Sequence, residues 1–106
     1  MPQAPSRVQE FAAEHNDVFS AFRQLSEQCH KSGPLDEKTR RLVKVALAIG
    51  AGLEGATHSA VRHAVESGVT RQELEHVVIL GITTLGWPSS FRNLTWVRDV
   101  LEPNAR

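Results

Sequence analysis

The chain has 106 residues, with 12 Lys+Arg against 12 Asp+Glu, and so a formal net charge of zero. Balanced charge offers no basic excess or stripe of the kind nucleic-acid binding uses, and it removes self-repulsion between subunits. One cysteine cannot build a disulfide framework, and an apolar stretch such as Val77 to Ile82 is far short of the ~20 residues that cross a bilayer. No nucleic-acid or membrane partner is therefore expected. Met1 to Glu10 carries charges and no apolar run, so no leader is expected and the implied localisation is cytoplasmic. The length suits a single domain spanning residues 1–106.

Segment one runs from about Ser6 to His30. Val8, Phe11, His15, Val18, Phe22, Leu25 and Cys29 recur at steps of three and four, which predicts one amphipathic helix. Ala12 and Phe19 widen its stripe. Ser32-Gly33-Pro34 stops it, with Gly33 suited to a left-handed C-terminal position. Segment two covers about Asp36 to Gly50, with Asp36 as N-cap and Glu37 in the first turn. Gly50-Ala51-Gly52 loosens the chain. Segment three follows from about Ala56 to Ser67, with Thr57, Val61, Ala64 and Val65 on its apolar face and Gly68 as its stop. Thr70-x-x-Glu73 is a capping-box signature for segment four. There Leu74, Val77, Val78, Gly81, Ile82 and Leu85 keep helical spacing. Ile79 and Leu80 carry the apolar surface almost all round, which predicts a buried helix. Gly86-Trp87-Pro88 ends it. Ser89 or Ser90 is the expected cap of segment five, whose stripe is Phe91, Leu94, Val97 and Leu101. No period-two run is long enough for a strand, so the expected fold is all-α with about five helices.

Three runs carry a family resemblance: Leu35-Asp36-Glu37-Lys38-Thr39-Arg40-Arg41-Leu42, Gly55-Ala56-Thr57-His58-Ser59-Ala60-Val61-Arg62, and Gly68-Val69-Thr70-Arg71-Gln72-Glu73-Leu74. They resemble the carboxymuconolactone decarboxylase family, which shares its helical fold with the alkyl hydroperoxidase AhpD. The closing Leu94-Thr95-Trp96-Val97-x-Asp99-Val100-Leu101 is similar to small members of it. The resemblance is strongest over residues 35–101. It implies an AhpD-like helical bundle and a homotrimer or homohexamer.

The redox branch of that family carries a Glu followed twelve residues later by Cys-x-x-Cys-x-x-x-His. Anchored on Gly68, those positions are Arg41, Leu53, Ala56 and Ala60. Arg41 replaces the acid, Leu53 and Ala56 replace both thiols, and Ala60 replaces the histidine. Transfer from the family would imply peroxiredoxin-type alkylhydroperoxidase activity, yet no thiolate nucleophile stands where that chemistry needs one. The decarboxylase branch resembles the chain in lacking the cysteine pair, but its acid/base histidine also falls on Ala60. His58 lies two residues earlier, about 200° around a helix.

Glu54 and His58 are four apart and are the candidate catalytic pair. A carboxylate beside an imidazole fixes one tautomer and raises its basicity. The plainer alternative is a half-buried polar pair at a subunit seam. His76 could approach His58 across a helix pair, and two His with one Glu would suit zinc. No His-x-x-x-His spacing supports that, so no metal and no cofactor is expected. His63 reads as solvated, His15 as a core or interface histidine, and Cys29 as an idle thiol. Arg41, His76, Thr83 and Trp87 are the candidate binding residues for a small, anionic molecule, with Arg41 as counter-ion. Three functions stay open: a family member without thiol chemistry, a non-redox (lyase-like) acid/base enzyme or small-acid binder using Glu54 and His58, and an oligomeric scaffold.

Overall fold

The computed structural model describes residues 4–104, and every regular element among them is an α-helix. Positions 1–3 and 105–106, which the single-domain and leader readings include, lie outside the described residues. The chain divides into two units: one holds the first two helices, and the other begins at Asp36 and holds the remaining five.

In the first unit, α1 (Ser6–Glu14) and α2 (Asn16–Lys31) pack on each other. The single helix expected here is two. His15 leaves the helical region at φ −128°, ψ 56°. Asn16-Asp17 then restarts the helix, with Asp17 in the first turn, where a carboxylate favours the unpaired N–H groups. The His15 ring lies 4.9 Å from that of Phe11, and His15 is exposed rather than in a core. Neither helix buries a residue, and Phe11, Val18, Phe22 and Leu25 all stand exposed. Gly33 does not adopt the left-handed conformation expected of it; α2 closes at Ser32, whose N–H bonds the Cys29 carbonyl.

In the second unit, α3 (Glu37–Gly50) starts at its expected cap. The Asp36 carboxylate accepts the Thr39 N–H at 2.9 Å, and hydrogen bonding from Thr39 holds its carboxyl below the usual range. Next, α4 (Glu54–Glu66) begins two residues before the expected start. Its buried Thr57 is satisfied locally, the hydroxyl donating to the Leu53 carbonyl at 2.7 Å. Gly68, at φ 86°, takes the left-handed turn after α4, which a side chain would resist. The capping box then opens α5 (Arg71–Leu80) with both halves formed: Glu73 N–H to Thr70 Oγ1 at 3.1 Å and Thr70 N–H to Glu73 Oε1 at 2.9 Å. Segment four is also split, because the chain tightens at Gly81 before α6 (Ile82–Leu85). A Cβ at Gly81 would come within 3.2 Å of the Val78 carbonyl oxygen. The last helix, α7 (Trp87–Leu101), is entered through Gly86 at φ 94°, with Pro88 in its first turn. Neither Ser89 nor Ser90 caps it. Ser90 is buried one turn in, and its hydroxyl donates back to the Gly86 carbonyl at 2.9 Å.

One core joins these helices: Val45 and Ile49 from α3, Val61 and Ala64 from α4, Val69 from the loop after it, Leu74 and Val78 from α5, and Val97 and Val100 from α7. Burying a side chain such as Leu74 contributes about 1.5–3 kcal/mol. The α5 helix is not the buried one its composition suggests. Only Leu74 and Val78 are enclosed, while Ile79 and Leu80 are 58% and 63% exposed. The core meets one face of α5, with Val77 packed at its margin, and among the described residues Ile79 and Leu80 stay uncovered. Ion pairs tie the outer side of the unit: Arg71 to Glu75 at 3.0 Å, Arg98 to Glu75 at 3.3 Å, Arg71 to Glu102, and Lys38 to Glu73 at 3.3 Å. Hydrogen bonding from Arg98, and then from Arg71, holds the Glu75 carboxyl below the usual range. Among the described residues no helix is long and apolar enough to cross a membrane.

Candidate functional site

The early start of α4 puts Glu54 in its first turn and His58 one turn later, so both side chains rise from the same helix face. The packing of α7 on α4 brings in a third group. His58 Nε2 lies 3.0 Å from Asp99 Oδ2, and the two side chains are only 25% and 14% exposed. An ionised carboxylate only accepts, so Nε2 donates this hydrogen bond to Asp99; in the neutral ring that leaves Nδ1 as the accepting nitrogen. Glu54 is exposed, and one donor atom from each of Glu54, His58 and Asp99 lies within 4.8 Å of the others. Two carboxylates and an imidazole therefore converge at the seam of α4 and α7. Chemically they can hold and pass a proton, or surround a cation.

Sequence reading singles out Glu54 and His58 but gives Asp99 no role. A signal was present. Asp99 stands between the core valines Val97 and Val100, one helical turn after Trp96. An acid so placed, at the edge of a buried stripe, needs a partner. What the sequence could not supply was the partner's position, 41 residues away.

Asp99 shares a ridge of α7 with Trp96 and Arg92, since these residues are three and four apart. The Arg92 guanidinium lies 4.5 Å from the Trp96 ring centroid and donates to Asn93 Oδ1 at 3.1 Å. Gly52 lies beside it at φ 70°, a left-handed conformation that a side chain would resist, while a Cβ there would stand 3.5 Å from the guanidinium nitrogens, an ordinary contact.

The other candidates are dispersed over the second unit. Arg41 is half-buried on α3, His76 is exposed on α5 outside the three-residue cluster, and Thr83 is exposed on α6. Trp87 is exposed at the first position of α7, edge-on to Phe91 at 4.8 Å. His63 is exposed on α4, with Nδ1 donating to the Ser59 carbonyl at 2.8 Å.

The positions matching the family's redox motif hold no sulfur. Leu53 precedes α4 as its N-cap, Ala56 lies in its first turn, and Ala60 follows one turn later. The chain's single cysteine, Cys29, is exposed on α2, so no pair of thiols can form within the chain.

The profile of the carboxymuconolactone decarboxylase family matches residues 16–99. Among solved structures, the chain is similar to the apo form of a carboxymuconolactone decarboxylase family protein from Legionella pneumophila. The two superpose with a TM-score of 0.74 at 23% identity, over 95% of this chain and 89% of that one, a likeness in fold. No curated protein matches the sequence. The chain therefore belongs to the carboxymuconolactone decarboxylase family, as a member with the AhpD-like helical fold and without the Cys-x-x-Cys motif.

Proposed function

We propose that this family member acts on a small molecule by non-thiol, lyase-like proton transfer centred on Glu54, His58 and Asp99. The observation that carries the reading is the 3.0 Å contact between His58 Nε2 and Asp99, with Glu54 one turn away on the same helix. In this reading Asp99 fixes the ring's orientation and tautomer, and His58 Nδ1 takes the proton. Glu54, on the solvent side, exchanges it with the ligand or with water. Arg41, His76, Thr83 and Trp87 are weaker candidates for ligand contacts. Peroxide reduction is not part of the proposal, because it needs a thiolate and a resolving partner.

The protein works in this reading as a homotrimer or homohexamer in the cytoplasm, with no nucleic-acid partner. The uncovered side chains Phe22, Leu47, Ile79 and Leu80 support self-association.

The test is a screen of small carboxylic and keto acids for binding and for exchange of carbon-bound protons with solvent deuterium. Wild type exchanges at least one member of the panel. His58→Gln loses the exchange while keeping its helical circular dichroism. Equal exchange by both proteins would sink the assignment. In parallel, peroxide consumption with a dithiol donor stays at background, and turnover that survives Cys29→Ala would overturn the exclusion of thiol chemistry.

A further inference from the structure

We propose that Glu54, His58 and Asp99 form a binding site for one divalent transition-metal ion. The inference rests on reading these side chains as the functional centre, and it changes one role within it: His58 becomes a ligand rather than a proton carrier.

The first argument is geometric. Ligand atoms about 2.1 Å from one ion lie roughly 3.0–3.4 Å from each other in octahedral or tetrahedral arrangements. His58 Nε2 and Asp99 Oδ2 are already 3.0 Å apart, the spacing of two ligands at about 90° on one ion, which would lie to one side of the line between them once the two side chains turn toward it, with neither helix moving. The three donor atoms lie within 4.8 Å of one another, and the group that must swing inward is Glu54, whose exposed side chain is free to rotate. The two less exposed ligands come from different helices, α4 and α7, which the core holds together through Val61, Ala64, Val97 and Val100. Glu54 and His58 are spaced i, i+4, which directs two ligands to one side of a helix.

The second argument is chemical. One imidazole and two carboxylates make a mixed nitrogen–oxygen set, which suits Zn²⁺, Mn²⁺, Fe²⁺ or Co²⁺ better than a soft ion. Three protein ligands leave coordination positions open for a ligand. The charge follows the same direction. Two carboxylates with a neutral ring carry two negative charges, which repel a small acid. A divalent ion brings the centre to zero and gives an anionic ligand a cation to meet. The zinc set considered from sequence used His76, which lies outside the cluster; Asp99 is the third ligand the fold supplies.

The test uses untagged full-length protein, stripped with a chelator and titrated with Zn²⁺ by calorimetry and with Co²⁺ by visible absorption. Wild type takes up one ion per chain, and Co²⁺ develops ligand-field bands. His58→Gln and Asp99→Asn each weaken uptake by at least about 100-fold, the upper end for losing a mere supporting contact. His63→Gln, which removes an exposed histidine of the same helix, leaves uptake unchanged. Two ligand variants from different helices, each checked for helical circular dichroism, keep the result readable if one fails to fold. No uptake at millimolar metal, or uptake that survives both ligand variants, would overturn the site. Loss of acid-dependent exchange in His58→Gln without metal uptake would remove the ion and leave the proton-transfer reading standing. Metal uptake with no responding acid would do the reverse.

Discussion

The two units of the chain use apolar side chains in opposite ways. From Asp36 onward, nine residues enclose one another in a core shared by α3, α4, α5 and α7 and the loop before α5. In α1 and α2 the spacing of apolar residues is at least as regular, yet neither helix encloses a single one. Periodicity therefore states that a face will be covered and says nothing about what covers it. For the nine core residues of the second unit the cover is the chain itself. In the first unit Phe11, Val18, Phe22 and Leu25 of the stripe stay exposed, which is why a partner copy is the proposed occupant.

That contrast is broken most directly by deleting one large side chain from each unit. Leu74→Ala leaves a cavity in the core that Leu74 shares with the valines of α3, α4 and α7, and it should cost about 2–5 kcal/mol by denaturant unfolding. The loss should be the same at every protein concentration, because the cavity lies inside one chain. A cost below about 1 kcal/mol would mean that the core is looser than its burial implies. The matching change in the first unit, Phe22→Ser, removes a side chain that is 62% exposed and leaves no cavity. Its expected effect is on assembly: sedimentation should shift toward smaller species, and the unfolding midpoint should lose the dependence on concentration that assembly gives it. An unchanged sedimentation profile would show that this stripe is not a subunit contact.

What could be read from the sequence follows the same division. The boundaries set by local chemistry are legible: Asp36 as a cap, the Thr70–Glu73 box and the Gly68 stop each depend on atoms within a few residues. Breaks inside an apolar stripe are not. His15 and Gly81 interrupt helices whose periodicity runs straight through them, so two expected helices became four. At the site, Glu54 and His58 share one helix and could be paired by counting. Asp99 depends on how α7 docks against α4, which spacing along the chain does not encode. The exposure of Ile79 and Leu80 has the same origin, since composition gives the apolarity of a helix and packing decides which side is enclosed.

A smaller effect tests whether the second unit depends on local caps as well as on its core. Thr70→Ala removes the hydroxyl that accepts the Glu73 N–H, together with half of the box. About 1 kcal/mol should be lost. Thr70→Ser keeps the acceptor oxygen and should recover most of that. If both variants fell equally, the methyl group rather than the hydrogen bond would be the stabilising part.

The smallest expected effect is electrostatic. Glu75 receives hydrogen bonds from Arg98 on α7 and Arg71 on its own helix, and Arg98 contributes most to holding its carboxyl below the usual range. The folded form thus binds this proton more weakly than the unfolded chain does. The stabilisation is complete above the ordinary glutamate range and disappears as pH falls through the lower folded value. Because these guanidinium–carboxylate contacts lie near the surface, the contribution should stay below about 1 kcal/mol and shrink with added salt. Unfolding midpoints followed from neutral pH into acid should therefore fall less steeply in Glu75→Gln than in wild type, with the two curves meeting once the carboxylate is protonated. A difference that grew in acid instead would mean that Glu75 stabilises the fold through its neutral form, and that Arg98 does not govern its ionisation.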